Sequence, residues 1–395
     1  MLPNTDMTLV ILFLVINLGI GLWYGKGVVS MQDYALGGRK FSTAVLAVTI
    51  IATWIGGSSF FNGLSETYRG GIFRLLSPLG PIISLLITAY ILAPRMQEFL
   101  GKLSVAEAMG DLYGVHVRVI TAISSIAFST TIIAMQIKVF SIIFNYFFGI
   151  NSDYATLVGT VIIITYSAFG GIKSVIFTDV FQFLTFGAFV PTLALLIWSI
   201  FGNWNSIVNT LTTNPTFNPK FLLDYHNPVV LSYYSLFFLY LIPFIDPATF
   251  QRILIAKTTE QASSSIKAST ILYIVFCIFS AIISIVTISI APNIQANDAL
   301  MYIIDNFSSP GFKGLIIIGM AAMIMSTADS YINSSSIIFV NDILKPLGIS
   351  GYSKIVELKF VRAFAIFIGF AAFIITLSKQ NMFRIFLLVE VFISP

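Results

Sequence analysis

The chain has 395 residues, 57% of them hydrophobic and only 10% charged, with a net charge of +4. A soluble domain carries about 25% charged residues, so the composition excludes an ordinary globular enzyme or a nucleic-acid-binding protein and leaves a polytopic membrane protein. The single cysteine, Cys277, excludes an internal disulfide, and two histidines, His116 and His226, are too few and too far apart for a metal cluster.

The N-terminal MLPNTD lacks the basic region of a signal peptide, so the first apolar run is expected to be a retained span. A span needs about 20 apolar residues. Eleven segments qualify: 7–25, 43–66, 73–94, 116–147, 154–169, 175–201, 230–250, 265–291, 313–340, 360–378 and a short 382–395. The loops leave no room for a soluble domain, and the longest, 203–229, reads as a polar connector. Two spans are interrupted. The second holds Gly56-Gly57-Ser58-Ser59 near its middle, and the seventh holds Pro243 and then Asp246-Pro247. Such residues free backbone carbonyls inside the membrane, which is tolerated where protein or a cavity lines them. Breaks five spans apart are the pattern of two inverted five-helix repeats, each opening with a discontinuous helix. Ordinary kinks are the alternative.

Basic residues set the expected orientation. One set of loops holds fourteen, including Lys26, Arg39, Arg95, Lys102, Arg118, Lys173, Arg252 and Lys267; the other holds six, Arg69, Arg74, Lys220, Lys313, Lys379 and Arg384. The first set is expected in the cytoplasm and the N-terminus outside, with a bacterial inner membrane as the setting.

The densest chemistry lies in Met325–Ser336, MSTADSYINSSS, between apolar flanks. Residues of a helix advance about 100° each. Ser326, Ser330, Asn333 and Ser334 therefore share a face, with Thr327 and Asp329 on its edges. Hydroxyls beside a carboxylate, with no histidine or cysteine near, suit a hard monovalent cation. A buried aspartate at mid-span is costly, about 2.5–3.5 kcal/mol, unless it faces a bundle interior. A second polar cluster lies in FGGIKSVIFTDVFQ (169–182), where Thr178, Asp179 and Gln182 enter the membrane on one side. Lys138 sits inside the fourth span after Gln136. It either snorkels to the outer interface or reads a carboxylate on a solute. There is no phosphate loop and no credible Ser-His-Asp arrangement, so enzyme chemistry is not expected, nor an organic cofactor.

These segments resemble the sodium:solute symporter family. GGIKSVIFTDVFQ is similar to its GG-x-x-[AS]-V-x-x-TD-x-x-Q segment, and MSTADSYINSSSIIFVNDI to its serine-rich sodium helix, ending in Asp342. DPATFQRILIAKTTEQA is similar to its Q-R-x-L-A-x-K segment, and LAPRMQEFLGKLSVAEAMGDLYG to the loop ending in Tyr-Gly. The resemblance runs from about 30 to 378. It implies an all-α, leucine-transporter-like inverted-repeat fold in one domain over 1–395: an extra helix 7–25, a first repeat 41–202, and a second repeat 230–395 whose last helix is incomplete. It implies a sodium site made by the carbonyls of Thr53, Gly56 and Met323 and the hydroxyls of Ser326 and Thr327, with Asp179 and Asp329 nearby. Solute would bind beside the breaks, with Ser58, Ser59, Asn62, Gln136, Lys138, Tyr240, Phe244 and Asp246 as candidates. Where proline transporters have a carboxylate and an aromatic pair, this chain has Ile55, and Leu239 with Pro243, which argues against proline. The expected function is import of a small organic solute coupled to sodium, by alternating access in a lipid bilayer. Proton coupling is the fallback. A membrane sensor module partnered with a signalling kinase, and a truncated, non-functional symporter, are the alternatives.

Overall fold

The computed structural model describes residues 4–149, 151–243, 246–307, 311–349 and 353–378, and among these every regular element is helical. Helix α1 spans Asn4–Tyr24, and the short α2 spans Met31–Leu36. The second expected span is two helices, α3 (Thr43–Trp54) and α4 (Gly57–Gly70), meeting at 54°. The third is α5 (Ile72–Leu76) and α6 (Leu79–Ile87), prolonged by a π-helical turn at Thr88–Leu92 and a 3-10 turn to Arg95. After α7 (Val105–Tyr113) comes the long α8 (Val115–Phe148). Helix α9 (Ser152–Phe201) carries the fifth and sixth spans. Beyond it lie α10 (Trp204–Thr213) inside the expected connector, α11 (Pro228–Leu241), α12 (Pro247–Leu254), α13 (Thr259–Ile290), α14 (Ala299–Phe307), α15 (Phe312–Ile338) and α16 (Lys354–Leu377). The expected eleventh span, 382–395, lies outside the described residues, as do Lys379 and Arg384.

Short signals in the sequence start these helices. Ser42, Ser104 and Thr258 cap α3, α7 and α13 by accepting the amides of Val45, Glu107 and Gln261 at 2.9–3.3 Å. Asp246 caps α12 and Pro247 follows at its first position. Inside α9 the chain folds back at Gly171, whose φ of 63° suits glycine. Tyr166 before it reaches Met325, at 3.2 Å, and Thr178 after it reaches Asp329, at 3.5 Å. Twelve residues of straight helix would separate those two side chains by about 18 Å, so the two halves of α9 run back to back as separate spans.

Helix α15 is the axis of the bundle: 94% of its apolar stretch is buried, against 22% for α1. Both halves of α9, α8 and α16 pack around it. The extra helix α1 is fastened to it. Asp6, fully buried, accepts the amides of Gly311 (2.9 Å) and Gly314 (2.6 Å) at the start of α15. Ser174 Oγ also donates to Gly21 O of α1 at 2.7 Å. Helix α15 has no side-chain cap of its own; α1 supplies one.

Candidate functional site

Helix α3 stops because the backbone turns extended at Gly56 (φ −80°, ψ 149°). The Gly56 amide bonds Trp54 O, at 3.1 Å, instead of reaching back four residues. The carbonyls of Ala52 and Thr53 thereby lack their regular helical donors. Two hydroxyls of α15 reach them: Ser326 Oγ donates to Ala52 O at 2.9 Å, and Thr327 Oγ1 to Thr53 O at 3.2 Å. Both hydroxyls also lie within 3.1–3.2 Å of Met323 O. Five neutral oxygens from two elements thus converge in a region where every contributor is buried. The set has no sulfur, no imidazole and no formal charge, and it fits a small hard monovalent cation better than a divalent or transition metal.

Of the residues expected there, Thr53, Met323, Ser326 and Thr327 are brought together. Gly56 stands beside them, but its carbonyl accepts the Phe60 amide, at 3.1 Å, as the N-cap of α4. Ala52 was not anticipated. The glycines let the partners approach. A Cβ on Gly56 would lie 2.6 Å from Gln136 Nε2, and one on Gly57 would lie 2.3 Å from Ile324 Cγ1.

Next to the five oxygens is a buried charged cluster. Arg252, counted from sequence among the loop cations, is in fact fully buried in α12. The break at 242–246 sets α12 back into the bundle, so a residue near its end still faces the core. Arg252 Nη2 donates to Ser330 Oγ at 2.5 Å and lies 3.6 Å from Asp179 Oδ2, while Nη1 donates to Ala248 O at 2.9 Å. Thr49 Oγ1 donates to the same carboxylate oxygen. Ser330 Oγ also stands 3.1 Å from Thr53 Oγ1 and donates to Ser326 O at 2.7 Å. Asp329 faces Thr178 Oγ1 (3.5 Å), with Ser330 Oγ 3.4 Å away. Asp329 is thus linked to the oxygen set through Ser330, and Asp179, held by Arg252, through Arg252 and Ser330.

A cavity of about 970 Å³ opens at the end of the bundle that carries α14. Ser58, Asn62 and Lys138 line it, and Asp298 and Asp305 stand exposed at its mouth. Lys138 therefore faces this cavity, and it makes no ion pair or hydrogen bond among the described residues. Gln136 supports the cavity wall: its Nε2 donates to Ser58 Oγ at 2.7 Å, and its Oε1 accepts the Ser58 amide at 3.2 Å. Other candidates stand elsewhere. Ser59 is exposed and does not line the cavity. Tyr240 packs on Gly80 of α6. Asp246 caps α12, its Oδ1 accepting the amides of Ala248 and Thr249 and the Tyr331 hydroxyl at 2.9–3.1 Å. Phe244 lies outside the described residues.

Comparison with known proteins gives a consistent picture. A family model for the sodium:solute symporter family matches residues 34–394. The human sodium/iodide cotransporter is 26% identical over 365 residues, covering 85% of this chain and 55% of that protein. The sodium/glucose cotransporter of Vibrio parahaemolyticus is 23% identical over 381 residues, covering 86% and 68%. The chain thus spans about half the length of the human relative. Among solved structures, a substrate-bound, outward-open Na+-coupled sialic acid symporter matches with a TM-score of 0.85 at 19% identity, over 95% of this chain and 82% of that one. MhsT in complex with L-phenylalanine matches with a TM-score of 0.58 at 13% identity, over 94% and 87%. At these identities the likeness speaks to fold, and the fold is leucine-transporter-like. These relatives are transporters, not enzymes or sensors.

Proposed function

The chain belongs to the sodium:solute symporter family, and from that premise we propose that it is a sodium-coupled importer of a small solute carrying an anionic group. One observation carries the sodium assignment: the Ser326 and Thr327 hydroxyls converge on the carbonyls of Ala52, Thr53 and Met323 at the break between α3 and α4. Sodium binds there, with Ala52 O taking the place that sequence reasoning gave to Gly56 O. Asp329 adds a carboxyl one residue step from the oxygens through Ser330, while the charge of Asp179 is met by Arg252. The solute occupies the cavity lined by Ser58, Asn62 and Lys138, one turn beyond the break, so ion and solute share the walls of one broken helix. Lys138 pairs with the anionic group. Two relatives carry anions by name, the sodium/iodide cotransporter and a human sodium-coupled monocarboxylate transporter, the latter 24% identical over 352 residues.

The cavity end faces outside, following the bias of basic residues, and the opposite end faces the cytoplasm. One sodium moving with one monoanion carries no net charge, so the inward sodium gradient drives accumulation, at about 1.4 kcal/mol per tenfold difference in concentration. One body of the bundle rocks against the other about the midplane site.

The test is uptake of anionic solutes into vesicles holding the purified protein, with and without an inward sodium gradient. Uptake is expected to need sodium. A hydrogen bond or contact to a charged group is worth about 1.5–3 kcal/mol, so Ser326→Ala or Thr327→Ala should raise the sodium concentration for half-maximal uptake at least about tenfold. Uptake indifferent to sodium in the unaltered protein defeats the proposal. Lys138→Met should weaken uptake of anionic solutes about tenfold or more while leaving sodium dependence intact; unchanged uptake would remove Lys138 from the solute site.

A further inference from the structure

A second, smaller cavity, of about 200 Å³, lies at the other end of the bundle, the end that carries Arg39, Arg95 and Lys102. Its walls come from both broken spans, with Ile50 and Trp54 on α3 and Phe250 and Ile253 on α12, and from the π-helical turn that continues α6. Single π-turns widen a helix locally and recur at functional sites. Apart from Arg95 at the rim, the wall offers water no free polar partner. The lining has two hydroxyls, and both are satisfied: Thr249 accepts the Trp54 indole N–H at 2.7 Å, and Thr88 donates to Ser84 O at 2.8 Å. An apolar cavity without free polar partners stays dry and takes apolar guests.

The rim is charged: Arg95 and Lys267 are cationic, and Glu98, next to the lining residue Phe99, is an exposed carboxylate. Arg95 is the single charged residue among the lining, and it is exposed. Lys267, next to the lining residue Ile266, holds its ammonium 4.1 Å from the centre of the Tyr90 ring. The nearby carboxylates Glu107 and Asp111 are already paired with Lys102. The wall segment turns Leu86, Tyr90 and Ile91 outward, 38–61% exposed, on a surface of membrane-spanning helix. A dry slot opening beside two cations and an interfacial tyrosine has the chemistry of an amphiphile's two ends.

We propose that this cavity binds one acyl chain of an anionic phospholipid from the adjacent leaflet, with the phosphate held by Arg95 and Lys267. The chain lies between α3 and α12, where it fills the space between the two half-helices that follow or precede the breaks. This site is separate from the sodium and solute positions, and it does not depend on what the protein carries.

The test uses the full chain in detergent and native mass spectrometry, with phosphatidylglycerol and phosphatidylcholine of matched chains as probes. One phosphatidylglycerol should be retained at least tenfold better than phosphatidylcholine. Ala108→Phe, which fills the cavity from α7, should abolish retention of both. Arg95→Gln with Lys267→Gln, at accessible positions where folding is not at stake, should erase the preference between them. The proposal is overturned by equal retention of both lipids on the unaltered protein, by retention that survives Ala108→Phe, or by a free fatty acid or detergent molecule as the only occupant. Because the readout is a bound mass, failure of sodium-driven uptake leaves this result unaffected.

Discussion

Arg252 concentrates the energetics of the candidate site in one side chain. It is fully buried, 3.6 Å from Asp179, and 2.5 Å from Ser330, which in turn touches Thr53 and Ser326. Removing one partner of a buried ion pair strands the other charge and costs about 3–5 kcal/mol, whereas removing both is close to neutral. Arg252→Met should therefore lower the melting temperature of the purified protein sharply, and Asp179→Asn added to it should restore most of the loss. Arg252→Lys should not rescue, because an ammonium cannot reach Ala248 O, Ser330 and Asp179 from one planar fork. If Arg252→Met alone melts like the unaltered protein, the pair is not structural. None of this was legible in the sequence. An arginine five residues after an Asp-Pro pair looks like a loop cation, and its partner lies on a different span. Asp246 was misleading in the opposite way. It looked functional, yet Asp before Pro before a helix is a capping signal, and capping is what it does.

The broken helix α3–α4 is the element on which the site depends. Its position was readable, because paired glycines cannot hold a mid-membrane helix without help. Which carbonyls the break frees was not readable, since that depends on whether Gly56 reaches back to residue 52 or to Trp54. The structure has it bonding Trp54, and Ala52 is thereby freed. The same glycines bring α15 close, with Gly57 facing Ile324. Gly57→Ala should push these elements apart, costing about 1–3 kcal/mol as overpacking does. Shortening the opposing side chain with Ile324→Ala should return most of that stability. Equal destabilisation by the single and double substitutions, measured as melting temperature, would show that the contact does not limit the approach. The polar stripe on α15 was fully visible as a periodic pattern, and all of Ser326–Ser336 is buried. The fastening of α1 to α15 by Asp6 was not visible, because a single acid near a chain start carries no pattern.

At the scale of the molecule, most of the expected spans up to 378 fall on long apolar helices, because apolar length dictates them, while the expected 230–250 span is divided between the shorter α11 and α12. Orientation is a separate matter that rests on the basic-residue bias, and that bias persists when Arg252 is taken out of the count. It can be measured directly. With Cys277 replaced by Ala, Asn297→Cys at the mouth of the large cavity should react in intact cells with a membrane-impermeant maleimide. Lys102→Cys at the opposite end should react only after permeabilisation. The reverse pattern would invert the assignment and, with it, the direction of solute movement. The polar connector contained a helix, α10, that composition did not suggest. Its Asn203 cap is the signal that was available.

The Trp54 indole N–H donated to Thr249 joins the last residue of α3 to the first turn of α12. These half-helices stand 195 residues apart in sequence, and each borders its own break. A bond between them acts as a yoke. Neither half-helix can swing alone without giving up this partly buried hydrogen bond, so in the proposed rocking motion the two would turn as a single piece, with one degree of freedom instead of two.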